Sequence, residues 1–143
     1  MNFKLDKLNM IEASCLSFSV NNKIEEDITG FSFDYDANTK VDVENNLILI
    51  QLGINVSANA ESKKIEAGKF EFGFAYRVEN LEETFEEIEG RRKLDQTLQM
   101  SILGISFSTA RGMMLVKSSN TILQNAYLPI MNPASLLGTN TDI

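Results

Sequence analysis

Histidine and tryptophan are absent from this chain of 143 residues, cysteine occurs once and proline twice. Histidine is the side chain that ordinarily changes charge near neutral pH, so the commonest general base, the histidine triads and most zinc sites are excluded. The single thiol, Cys15, can form neither an internal disulfide nor a cysteine-rich metal site, and without basic neighbours in sequence it reads as inert. No apolar run approaches the roughly 20 residues a bilayer requires. Met1 to Lys7 lack the apolar core of a signal peptide, which points to the cytoplasm. Gly30, Gly53, Gly68, Gly73 and Gly90 stand singly, so no glycine-rich phosphate loop is present. Cations are scarce as well: 13 Lys and Arg against 20 Asp and Glu give a net charge of −7, the wrong sign for a nucleic-acid surface. The trio Arg91-Arg92-Lys93 is too short to change that. Asp34, Asp36 and Asp42 lack calcium-loop spacing. These absences predict a protein that is not an enzyme and carries no metal and no cofactor. An enzyme working with carboxylates alone is the catalytic alternative, and its mark would be a deep pocket faced by two acids.

What is present is an ordinary globular composition, 43 % apolar and 23 % charged. The length fits one domain over residues 1–143, burying about 70 % of the unfolded surface. Alternation with a period of two predicts strands, because successive side chains on a strand point to opposite faces. It runs through Leu16, Phe18 and Val20, then through Phe31, Phe33 and Tyr35. Past a turn signal at Asp36-Ala37-Asn38 it resumes at Val41 and Val43. It is strict from Ile48 to Val56 and again from Phe70 to Val78, with a polar hairpin loop at Asn59 to Lys64. Short connections favour antiparallel neighbours, so four strands in series predict a meander. The period then changes. Leu81, Phe85 and Ile88 predict a short amphipathic helix, with Asn80 and Glu83 as a capping box and Gly90 as its stop.

A long helix is predicted from about Asp95 to Ser119. Its apolar arc (Leu98, Ile102, Ile105, and Leu103, Phe107, Ala110, Met114) is wider than one sheet contact needs. Gly104 and Gly112 inside it each cost about 1 kcal/mol relative to alanine, and they hint at close helix–helix approach. In the tail, Asn132-Pro133 is a cap and first-turn pair that predicts a turn or two of helix to Leu137, with Gly138 to Ile143 frayed. The fold class is therefore α+β: a four-stranded antiparallel sheet, a long helix, and a short C-terminal crossover or helix.

Two features suggest binding. The aromatic row Phe70-Phe72-Phe74-Tyr76 reads first as core, but Phe31, Phe33 and Tyr35 could line a groove for a partner's apolar side chains. Met113 and Met114, with Met100 and Met131 nearby, are of the polarizable type that surfaces accepting many partners favour. The carboxylates between Glu79 and Glu89 read as a solvated face rather than a docking site.

The order of these elements and three short motifs resemble the SecB family of bacterial export chaperones. Leu16-Ser17-Phe18 resembles the I-S-F of that family's first strand. Phe107-Ser108-Thr109-Ala110-Arg111 resembles its F-P-Y-A-R, with Ser108 in place of the proline. Tyr127-Leu128-Pro129-Ile130-Met131-Asn132, followed by Leu136 and Leu137, resembles its L-A-P-V-N and the apolar residues after it. The resemblance covers roughly residues 8 to 137 and implies a homotetramer, a dimer of dimers whose long helices pack between two sheets. It also implies an ATP-independent holding chaperone for unfolded or pre-export polypeptides. On that basis the client-binding residues are Phe31, Phe33, Tyr35, Met113, Met114 and Tyr127. An export motor ATPase would be a second partner, but Cys15 and Ser19 stand where the family carries its acidic docking residues, leaving Glu71 as one retained acid. The family's final long helix also has no counterpart after Leu137. Such departures fit a relative with another client, such as a chaperone that protects an antitoxin. The alternative of another class is a structural protein that uses the fold only to oligomerise.

Overall fold

The computed structural model describes residues 4–136 and 141–142. Four long strands form its main sheet: β1 (Leu8–Val20), β2 (Gly30–Asp42), β3 (Leu47–Ala60) and β4 (Lys63–Val78). They are followed by a small hairpin, β5 (Phe85–Ile88) and β6 (Arg91–Leu94), and by the helix α1 (Gln96–Lys117). After the crossover at 118–131 come a 3₁₀ turn at Pro133–Leu136 and the two-residue strand β7 (Thr141–Asp142).

The strict alternation of β3 and β4 has its expected effect. Ile48, Ile50, Leu52, Ile54 and Val56 pair with Tyr76, Phe74, Phe72, Phe70 and Gly68, so that one face of the sheet is a continuous apolar layer. Burying each such side chain stabilises the fold by about 1.5–3 kcal/mol. α1 covers this inner face with Leu98, Ile102, Phe107 and Met114, all buried in the same core. Asp95, at the expected start of the helix, caps it by accepting from Leu98 N at 3.0 Å, and Ser118 closes the other end.

The meander holds for three strands. The sheet order is β1-β4-β3-β2-β7, so β1 does not pair with β2; it crosses to lie antiparallel to β4 on the far side, giving a Greek-key order. Both two-residue turns that close hairpins have positive φ at each central residue, at Glu61-Ser62 between β3 and β4 and at Glu89-Gly90 between β5 and β6. Turns of that hand match the twist of the strands they join.

Three local expectations are corrected. Asp36-Ala37-Asn38 is not a turn: β2 pairs with β3 without interruption from Gly30↔Asn59 to Asp42↔Leu47, and Ala37 sits in the core opposite Leu52. Here the neighbouring strand overrides local turn preference. The helix expected over Leu81 to Ile88 is one 3₁₀ turn, Leu81–Thr84, leading into β5, and the Asn80 side chain does not cap it. Gly90 turns a hairpin rather than stopping a helix, and unlike charges meet across it in the pairs Glu86↔Lys93 and Glu87↔Arg92. In the tail, Asn132 Oδ1 does accept from Ala134 N at 3.0 Å at the start of the 3₁₀ turn. Leu137 lies outside the described residues, as does most of the frayed segment expected after it. Thr141 and Asp142 instead pair in parallel with Thr39 and Lys40.

Candidate functional site

The inner face of the sheet is broader than the helix that covers it, and the crossover covers part of the remainder. Leu123, Ala126 and Leu128 are its buried contacts. Leu123 lies so close over β4 that a Cβ on Gly68 would stand 2.6 Å from its Cδ1. Two polar clamps hold the crossover. At one end Ile122 N donates to Asn22 Oδ1 at 3.1 Å. At the other, Arg111 donates from Nε to the Leu128 carbonyl and from Nη2 to the Pro129 carbonyl, each at 3.1 Å. The same guanidinium lies 5.6 Å from the Phe107 ring centroid, and Phe107 in turn meets Tyr35 edge-on at 5.5 Å. One chain of contacts therefore runs from the edge strand β2 through α1 to the crossover.

Phe31, Phe33 and Tyr35 form a single row on the inner face, opposite Ala58, Val56 and Ile54, and all three are half-buried at the margin of the core. Met113 is half-buried against the same core. Tyr127 is 64 % exposed, between the pinned carbonyl of Leu128 and the buried Ala126. Met114 is a correction: at 1 % exposure it is core and presents nothing to a partner. Its α1 position, seven residues beyond Phe107, continues the buried stripe to which its spacing also assigns it, and that assignment holds over the binding one. The binding residues expected from the sequence did not include Arg111, which positions the crossover, or Ile130, 91 % exposed on it. The available signals were an isolated cation in a helix otherwise uncharged before Lys117 and an isoleucine directly after proline.

The outward side of α1 is a second unusual surface. Met100, Ser101, Gly104, Ile105, Ser108 and Thr109 line an open groove together with Leu5. The helix has no acid, and Arg111 and Lys117 are its two charges. Gly104 is occupied from within the chain, since an added Cβ would stand 3.1 Å from Pro133 Cγ, whereas Gly112 has open space around it.

β1 is the third. Register shifts follow Met10 and Cys15, and such bulges turn the strand. Phe18 stacks on Phe70 at 6.1 Å, with Lys117 Nζ 5.4 Å above its ring. Leu16 lies on the outer face against Gly73. The second bulge lies between Cys15 and Ser19. Cys15 pairs with Phe72 and packs against the core, while Ser19 pairs with Lys69, so the two positions aligned with the family's docking acids face opposite sides.

No family model matches the chain, and no curated protein matches it. Among solved structures, it is similar to the Rv1957 SecB-like chaperone of Mycobacterium tuberculosis, determined in complex with a ChAD peptide from the Rv1956 HigA1 antitoxin. The TM-score is 0.61 at 12 % identity, and the match covers 88 % of this chain and 91 % of that one. At such identity the likeness is one of fold. The α+β arrangement of a four-stranded antiparallel sheet and one long helix is SecB-like, as the ordered motifs implied.

Proposed function

We propose, from the SecB-like fold, that this protein is an ATP-independent holding chaperone that binds unfolded polypeptides through apolar side chains. The observation that carries this reading is the half-buried aromatic row Phe31, Phe33 and Tyr35 on the inner face at the sheet margin. A client's apolar side chains laid against this row, and against Tyr127 and Ile130 on the crossover, gain about 25 cal/mol per Å² of apolar surface removed from water. Such affinity needs no particular client sequence and no nucleotide. It suits a protein that holds chains without folding them.

The assembly we propose is a homotetramer, with the uncharged outward side of α1 packed against other copies and the exposed apolar residues of β1 at a second contact. An unpaired helix face bearing Ile105 and Leu115 is a liability in a monomer and an asset in an oligomer. The location is taken to be the cytoplasm and the organisation a single domain. For the client, export and antitoxin protection are two readings. The complex of the structural neighbour with an antitoxin peptide favours the second. So does the presence of the uncharged Cys15 where the resemblance aligns a motor-docking acid.

Light scattering on the purified protein, with and without a reduced client diluted from denaturant, tests the reading. The expected result is a particle near four times the 16.0 kDa chain mass that suppresses client aggregation without ATP at near-stoichiometric amounts. The double substitution Phe33→Ser with Tyr127→Ser, in a particle of unchanged mass, is expected to weaken that suppression at least tenfold. A stable oligomer that lets the client precipitate would make the fold an assembly device only.

A further inference from the structure

β1 differs from the other long strands in how it reaches its partner. β2, β3 and β4 are consecutive, and each pairs with the next across a short turn, at 43–46 and at 61–62. β3 is uncharged from Leu47 to Ala60, but both of its partners adjoin it in sequence and flank it in the sheet. β1 precedes all three, and among the described residues its one neighbour in the sheet is β4, the last of them. Closing so long a loop costs entropy before any contact offsets it, and pairings of this kind form slowly.

The residues of β1 make that delay hazardous. Between Leu8 and Val20 the one charged residue is Glu12, and the strand contains no proline and no glycine. Unpaired segments that combine β-forming residues, low charge and no proline associate with one another. Docking on β4 removes only part of the hazard, because Met10, Ile11, Leu16 and Phe18 stay 38–57 % exposed. What β1 meets in its own fold is an aromatic surface: Phe18 stacks on Phe70, and Cys15 lies opposite Phe72. A folded copy has buried those two rings, but its Phe31, Phe33 and Tyr35 are half-buried and its Tyr127 is exposed. The β1 segment of an unfolded copy therefore finds on a folded copy the class of side chain that its own β4 supplies later.

We infer that this protein is one of its own clients: folded copies hold the β1 segment, Leu8 to Val20, of copies that have not yet folded. The inference rests on the client-binding reading and names a client for it. The segment is selected by its apolar residues and by its freedom from cations and proline. It is released as β4 of the held chain takes it over, pairing with it from Leu8 to Val20. Folding of the protein is then self-assisted, and its yield rises with the amount of folded protein already present.

The experiment dilutes the full chain, fluorescently labelled and unfolded in denaturant, into buffer with or without unlabelled folded protein. The expected result is that an equimolar amount of folded protein raises the soluble recovery of labelled chain at least threefold, while an inert protein of equal mass does not. By fluorescence anisotropy, a peptide of residues 8–20 should bind the folded protein at least tenfold more tightly than the same peptide with Ile11→Lys and Leu16→Lys. The folded double variant Phe33→Ser with Tyr127→Ser, in a particle of unchanged mass, should bind the unaltered peptide at least tenfold more weakly. Undiminished binding by that variant would place the segment on β4 or at a contact between copies, and would overturn the inference. So would unchanged recovery of the labelled chain under conditions where a reduced foreign client is held, and the chaperone reading would then stand without it. If neither the protein's own chain nor the foreign client is held, both fall together.

Discussion

Tyr76 crosses the core from sheet to helix: its hydroxyl shares a 2.7 Å hydrogen bond with Ser106 Oγ and lies 3.4 Å from the Ile102 carbonyl. Burial removes the phenol from water and raises its pKa above the ordinary value near 10, an effect the Ser106 hydrogen bond only partly offsets. The sign of the linkage follows. An acid whose folded pKa is raised stays neutral in the native state while the unfolded chain ionises, so its contribution is full below about pH 10 and declines as pH rises beyond it. Denaturant melts between pH 8 and 11 should therefore show a loss of stability above pH 10. Tyr76→Phe should lose about 1 kcal/mol at pH 8 for the missing hydrogen bond and fall less steeply with alkali. An equally steep decline in the variant would assign the alkaline loss to other groups.

At the scale of elements, the junction of α1 with the crossover is set by one side chain. Arg111 is a positioning residue: it holds the Leu128 and Pro129 carbonyls and so fixes where Tyr127 and Ile130 emerge. Arg111→Met keeps the stem but removes both hydrogen bonds. It should speed amide exchange at 127–131 at least tenfold and weaken client binding severalfold, while the particle mass is unchanged. Arg111→Lys, which restores charge without the fork, should recover little of either. Much of this scale was legible in the sequence. Strict alternation located β3 and β4, and Asp95 marked the start of α1, because one apolar face and one cap suffice to specify such elements. The hairpin β5–β6 was not legible as such, since Phe85 and Ile88 are three apart and fit a helix as well as a strand. The two-residue turn at Glu89-Gly90 and the opposed charges around it were the better guide. For the binding surface, the row Phe31, Phe33 and Tyr35 was readable as one face. Its half-burial was not, since that depends on how far α1 and the crossover extend over the sheet. The side on which each residue of β1 lies was hidden by its bulges, which no period of two can reveal.

At the scale of the whole molecule, charge and apolar surface are separated. α1 carries no acid in a chain of net charge −7, and its outward residues are small or apolar. Gly112 tests what that face meets. In an isolated chain with open space around it, Gly112→Ala should stabilise the helix by about 1 kcal/mol. Where the face packs closely on another copy, the added methyl should instead raise the dissociation of the oligomer. The expected outcome is a lower mean mass on dilution by light scattering, with the helix signal retained. A variant that melts higher with unchanged mass at every concentration would place the contact between copies elsewhere.

The Greek-key order has a consequence in time. β1 is the first strand to be made, but its partner β4 follows far behind: Leu8 pairs with Val78, seventy residues later. At about 5–20 residues per second of synthesis, β1 waits roughly 3.5 to 14 s for the strand that will accept it. Throughout that interval Met10, Ile11, Leu16 and Phe18 have no sheet to join. While it is being born, this protein is itself an unpaired apolar strand in need of a holder.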